Sequence, residues 1–306
     1  MSLQAAIVPY ALRALKLALQ PRVPVAVQRA LSAAALCATP LPRGAAREWQ
    51  NLGGVRCERL RRRDARPRRC ILYLHGGGYV IGSPATHRTV TVRLALQTDA
   101  DVIVPDYRLA PEHPYPAALD DALQVWRALR DGGRSADDII VAGDSAGGGL
   151  ALSLVLALRD RGEALPTAVA TISPWVDLAL TGDSVQARAA RDPLITPACG
   201  THWSALYRGA ARADDPGCSP LYAGLAGLPP LLVHVGSEEV IYDDAQRLVA
   251  KARAAGVAVT LREYPGLWHD FHLQAGLLPE AGVAVAEIAT FCRVSWNDEG
   301  ARRSAA

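Results

Sequence analysis

The chain has 306 residues, half of them hydrophobic, and a net charge of +3. That length fits one large α/β domain with an appendage, or two small domains, with ample apolar residues for a core. The charge comes mostly from an arginine-rich patch between Arg59 and Arg69 rather than a basic face, so no nucleic-acid footprint follows, and no run of about 18 apolar residues offers a membrane span.

Along the chain, residues 3–20 and Val25 to Leu36 carry apolar residues at helical spacing, with Pro21 and Pro24 between them. Pro9, Arg13, Lys16 and Pro21 interrupt the N-terminal segment, so it is not expected to act as a signal peptide and the chain is expected to be cytoplasmic. The Arg59 to Arg69 patch, broken by Asp64 and Pro67, reads as an exposed hairpin. From about residue 46 the pattern becomes strands alternating with helices. The strands are Cys70 to Leu74, Asp101 to Val104, Ile139 to Ala142, Ala168 to Ile172, Leu231 to Val235 and Ala258 to Arg262. Helices are expected at Ala117 to Leu129, Leu150 to Arg159 and Asp243 to Ala255. Strands apolar on both faces and separated by helices predict an α/β fold whose parallel sheet is covered on both sides. Residues 177–215 break the alternation and read as an insertion of short helices above the sheet, beside the N-terminal helices; the tail after Trp296 is expected to fray. Six cysteines are scattered without C-x-x-C pairs or histidine spacing, which excludes a zinc site or a disulfide framework and leaves buried free thiols in a reducing compartment.

Gly143-Asp144-Ser145-Ala146-Gly147 sits between the Ile139 strand and the Leu150 helix. A serine flanked by glycines at a strand-to-helix junction is held on a sharp turn that larger residues would block. A bare turn in which Ser145 only caps the helix fits the same five residues. The surroundings decide. The strand ending at Leu74 runs into His75-Gly76-Gly77-Gly78, where consecutive glycines let backbone N–H groups turn into a pocket as oxyanion donors; the N–H of Ala146 is a third. A phosphate cradle does not fit, for neither G-x-G-x-x-G nor a Walker lysine follows. His75 reads as a loop organiser.

A nucleophilic serine needs a base and a group to orient that base. After Ser145, His234 sits mid-strand as a core residue and His202 lies in the inserted helices, whereas His269 follows the last strand on a loop, with His272 as its rival. For the acid, Glu238, Glu239, Asp243 and Asp244 all follow the Leu231 strand. Asp243 and Asp244 also read as caps of the next helix, and composition does not separate Glu238 from Glu239.

These pieces, with Asp106 to Ala118, Ser173-Pro174-Trp175-Val176-Asp177-Leu178 and Asp192-Pro193-Leu194, resemble the bacterial hormone-sensitive-lipase-like carboxylesterases of the α/β-hydrolase fold, over about residues 70–272. The resemblance implies Ser145 as nucleophile, His269 as base, and Gly77, Gly78 and Ala146 as oxyanion donors. The family's acid is usually the first Asp of Asp-Pro-Leu-x-Asp. This chain instead reads Glu239-Val240-Ile241-Tyr242-Asp243, which places Glu239 at the acid position. It further implies a catalytic domain over 46–306 and a helical cap built from residues 1–45 and the 177–215 insertion. The expected function is metal-free and cofactor-free hydrolysis of small esters, with short acyl chains preferred and homodimerisation common in the family. Amides or lactones are alternative substrates. A non-catalytic ligand receptor of the same fold is another alternative, although the plant gibberellin receptors lose the histidine that this chain keeps.

Overall fold

Runs such as Cys70–Leu74 and Ile139–Asp144 are buried at every position, so both faces of each strand must be covered by other elements. A computed structural model describing residues 2–304 shows how. The strands are β1 (Ala45–Leu52), β2 (Val55–Arg62), β3 (Cys70–Leu74), β4 (Asp101–Pro105), β5 (Ile139–Asp144), β6 (Ala168–Ile172), β7 (Leu231–Gly236) and β8 (Val259–Tyr264). They form one sheet in the order β1-β2-β4-β3-β5-β6-β7-β8, in which β2 is antiparallel to β1 and β4 and all other pairs are parallel.

The helices are α1 (Leu3–Ala18), α2 (Val25–Cys37), α3 (Arg88–Thr98), α4 (Ala117–Asp131), α5 (Ala146–Asp160), α6 (Ser184–Ala187), α7 (Pro197–Arg208), α8 (Tyr242–Ala254) and α9 (Pro279–Ser304). Successive strand residues point to opposite faces. Leu72, Val141 and Val233 pack under Trp126 of α4, Leu152 of α5 and Leu248 of α8. Their neighbours Ile71, Ile140 and Leu232 pack on the other side, with Leu94 of α3 and Ile288 of α9. Register sets Leu74 beside Gly143 and Asp144 beside Ile172, so the carboxyl ends of β3, β5 and β6 open at one rim. Among the described residues no helix is long and apolar enough to cross a membrane.

Four expectations are corrected. The arginine-rich patch is less exposed than expected: residues 59–62 belong to β2 of the antiparallel β1–β2 pair, where Arg59 reaches buried Asp101 at 2.8 Å and Arg62 pairs with Asp99, while residues 63–69 form the turn and loop before β3. The tail after Trp296 continues α9 to Ser304, while residues 305 and 306 lie outside the described residues. Cys37 stands in solvent, unlike the other five cysteines. Asp243 and Asp244 do not cap α8 but accept N–H groups from Ser184 and from Val176 and Asp177, tying α8 to the segment after β6.

The helix α2 is inverted. Its polar residues Gln28 and Ser32 are buried while Val27 and Leu31 face solvent. The reversal has a partner: Trp203 Nε1–H of α7 donates to Gln28 Oε1 at 3.0 Å, and the Gln28 amide donates to Val23 O at 2.8 Å. Lys16 of α1 likewise donates to the carbonyls of Ala189 and Asp192, so α1, α2 and the segment carrying α6 and α7 lie together over the open rim.

Candidate active site

At the end of β5 the chain turns through Ser145 with φ 51° and ψ −122° before α5 begins at Ala146. Such backbone geometry costs a non-glycine residue on the order of 1–3 kcal/mol and persists only where the surroundings enforce it. Here they do. Ser145 N–H donates to Ile172 O at 2.8 Å, and its carbonyl accepts from Gly149 and Trp175. A Cβ at Gly143 would strike Gly147 O, and one at Gly147 would strike Leu74 O. The turn therefore sits against β3 with no room for side chains, which is why the glycines are there.

The loop after β3 faces this turn. Gly77 (φ 113°) and Gly78 (φ 62°) occupy backbone conformations that favour glycine, and a Cβ on Gly78 would enter the ring of Trp203. Among the described residues, the N–H groups of Gly77 and Gly78 donate to no protein acceptor, and that of Ala146 opens α5 ahead of its first intrahelical bond, from Gly149 N–H to Ser145 O. His75 is the organiser that the sequence suggests: its ring stacks on Tyr107 at 4.2 Å, its Nδ1–H donates to Gly76 O, and Tyr107 O–H donates to His75 O at 2.6 Å. Burial holds the His75 imidazole neutral, with a pKa of about 3.

The loop after β8 brings His269, and not His272, to Ser145. Ser145 Oγ lies 2.9 Å from His269 Nε2, and His269 Nδ1–H donates to Glu239 Oε2 at 3.0 Å. Glu239 is wholly buried, and its other oxygen accepts from Ser173 Oγ–H at 2.6 Å and Gly236 N–H at 2.5 Å. Glu238 turns away to pair with Arg191. His272 is engaged elsewhere, its Nε2 3.1 Å from His234 Nδ1. His202 is half-buried and stands on α7.

Sequence reasoning passed over three polar residues that act here. Ser173, the first residue of the Ser-Pro-Trp segment, fastens Glu239. Asp144, between Gly143 and Ser145, is buried against His87 Nε2–H at 3.0 Å and Tyr73 O–H at 2.7 Å. Burial alone would neutralise both members of the Asp144–His87 pair, but their mutual attraction outweighs it, raising the His87 pKa and lowering that of Asp144. That ion pair underlies both the serine turn and the glycine loop. The third is Asp270, in left-handed backbone (φ 52°), with Oδ2 3.2 Å from His269 Nε2 and Oδ1 without a partner among the described residues. Only the Thr86-His87 pair downstream of the glycine loop, and an acid directly after His269, hinted at them.

Two cavities meet at Ser145. The larger runs under α1 and α2 and is walled by Leu12, Leu15, Leu19, Leu36, Ile81 and Leu273. The smaller lies between Trp175, Leu180, Trp203, Val240 and Ile241. Gly78, Ile195, Trp203 and His269 line both. Asp192 joins the walls to the acid: its carboxylate accepts N–H groups from Leu194 and Ile195 on one side and Val240, next to Glu239, on the other. Among the described residues no cluster of His, Cys, Asp or Glu is arranged to hold a metal.

Residues 71–273 match the family described as alpha/beta hydrolase fold. The chain is 42% identical over 227 residues to the acetyl-hydrolase of Streptomyces hygroscopicus, covering 74% of this chain and 76% of that one. It is 40% identical over 241 residues to the esterase of Acinetobacter venetianus, covering 78% and 79%. Its fold superposes with a TM-score of 0.93 on the crystal structure of an esterase from the bacterial hormone-sensitive lipase family, at 39% identity, over 97% of this chain and 99% of that one.

Proposed function

The chain belongs to the bacterial hormone-sensitive-lipase-like family of alpha/beta hydrolases, and on that premise we propose that it hydrolyses small carboxylic esters through Ser145, His269 and Glu239. The observation that carries this reading is the unbroken line of hydrogen bonds from Ser145 Oγ through His269 to Glu239. In the first step Ser145 Oγ attacks the ester carbonyl while His269 Nε2 takes its proton. Glu239 holds the Nδ1–H, which fixes the tautomer and balances the imidazolium. The carbonyl oxygen, now negative, enters the space in front of the Gly77, Gly78 and Ala146 N–H groups. His269 then gives its proton to the departing alkoxide, and the alcohol leaves an acyl group on Ser145. A water repeats the sequence: it attacks the acyl carbon, loses its proton to Nε2, and the proton returns to Ser145 Oγ as the acid leaves.

A preference for short acyl chains rests on the smaller cavity, closed by Trp175 and Trp203, and agrees with the name of the Streptomyces acetyl-hydrolase. In this reading α1, α2 and residues 177–215 act as a cap that shapes the pocket, and the free thiols suit a reducing compartment such as the cytoplasm. A p-nitrophenyl acetate assay tests the chemistry. The intact protein should release a burst of about one p-nitrophenol per active site and then turn over, and Ser145→Ala should do neither. Intact protein without burst or turnover would overturn the proposal. A rate series from acetate to laurate esters tests the chain length, and a maximum at laurate would refute it.

A further inference from the structure

We propose that α1 and α2 form a docking face for an anionic lipid surface, through which the protein draws ester substrate from that surface into the larger cavity. The helix α1 is apolar on two opposite sides, and α2 on its outward side. The inward side of α1 carries Leu12, Leu15 and Leu19, which wall the cavity. Its outward side carries Leu3, Ile7, Tyr10 and Leu17, which are 75, 59, 70 and 64% exposed. At 100° per residue these four fall within one stripe, opposite the buried set. On the inverted α2, Val27 and Leu31 continue the apolar surface while Gln28 and Ser32 turn inward. Among the described residues, more than half of the large apolar side chains standing in solvent belong to these two helices. Apolar surface concentrated in this way marks a site of interaction.

Charge identifies the occupant. The first acidic residue of the chain is Glu48, so α1, α2 and their connection carry only positive charge. Lys16 and Arg29 are used internally, on the carbonyls of Ala189 and Asp192 and on Glu112. Arg13, beside the Tyr10 ring, and Arg22, between the helices, are exposed and form no ion pair among the described residues. The acids bordering this face are already committed: Glu280 accepts from Ser2, and Glu112 from Arg29. A helix with an aromatic and aliphatic stripe flanked by cations lies in the boundary between headgroups and acyl chains. With its outer face so placed, the inner face of α1 would set the cavity directly beneath the lipid.

The delivery half of this inference rests on the ester-hydrolase reading; the docking half does not. Sedimentation with vesicles of phosphatidylglycerol and phosphatidylcholine tests the docking. The full chain should sediment with the mixed vesicles, less with phosphatidylcholine alone, and less as salt rises. The double variant Ile7→Glu, Leu31→Glu should lose roughly tenfold or more in partitioning. Both residues lie outside the cavity walls, so its p-nitrophenyl acetate hydrolysis should be unchanged. Wild type that stays in the supernatant would overturn the proposal, as would a variant that binds equally well. A wild-type dimer that the variant splits, with no vesicle binding, would reassign the face to a second copy of the chain. Absent p-nitrophenyl acetate turnover in wild type would sink the hydrolase reading while leaving the vesicle result intact.

Discussion

Asp270 Oδ2 stands 3.2 Å from His269 Nε2, the nitrogen that meets Ser145 Oγ at 2.9 Å. Two groups thus compete for one proton position. Burial would lower the His269 pKa, but the carboxylates of Asp270, Glu239 and Asp192 outweigh it and raise the value to about 10. Asp270 itself is held above the usual carboxylate range, first by burial and then by the charges of Asp144, Glu239 and Asp192, against the opposing pull of His269. Removing one proton from this pair frees the base.

Since only neutral imidazole can accept the Ser145 proton, kcat/KM should rise with pH along an alkaline limb. Asp270→Asn should move that limb to lower pH and raise the rate near neutrality by about tenfold, the factor carried by one pKa unit. On the alkaline plateau the variant should be slower, for its imidazolium has lost a partner. A pH–rate profile with an unmoved limb would exclude Asp270 from this role.

Glu239 and Glu238 are adjacent, yet only Glu239 faces the histidine. Glu239→Gln should lower kcat by roughly 10³–10⁴-fold, the effect of losing tautomer control in such triads. Glu238→Gln should stay close to wild type, because it removes one surface ion pair of small worth. Equal losses in the two variants would contradict this assignment.

Replacing Gly77 by alanine would drive a Cβ into Ile81 O at a φ of 113°. The loop must shift, carrying its N–H groups away from the oxyanion position. The expected loss is roughly 10²–10³-fold in kcat with little change in KM, measured on p-nitrophenyl acetate.

His87→Ala leaves Asp144 charged and buried without its cation. Loss of one member of a buried pair costs about 3 kcal/mol or more. Urea denaturation should show that loss, whereas Arg191→Ala, at the exposed pair with Glu238, should shift stability by less than about 1 kcal/mol.

Asp244 is buried beside Asp177, and burial followed by that neighbouring charge raises its pKa to about 8. A carboxyl with a raised folded-state pKa contributes its stability at low pH and loses it as pH climbs from the unfolded value through about 8. The wild-type melting temperature should therefore fall relative to that of Asp244→Asn between about pH 5 and pH 8. Parallel curves would show that Asp244 does not titrate in this range.

Ser145 and the glycines at 76–78, 143 and 147 were legible because a sharp turn and close backbone approach demand small residues there, and strand burial on both faces revealed most of the sheet. The strand β2 was hidden because its arginines look solvated until Asp101, far along the chain, is seen to receive Arg59. The helix α3 is rich in threonine and valine, residues that favour strands, and is held helical by packing on α9. Glu238 and Glu239 are chemically alike, and what distinguishes them, Ser173 just after β6 and the Gly236 N–H, comes from the fold. Asp270 follows no spacing rule; its meaning lies in the direction taken by a left-handed turn.

Trp203 touches three parts at once: its ring lies over Gly78, its Nε1–H is tied to Gln28 on α2, and its side chain divides the two cavities. A swing of α2 would either carry this indole off the glycine loop or break its bond to Gln28. The bond from Trp203 to Gln28 thus couples the position of the helical roof to the wall shared by the two chambers.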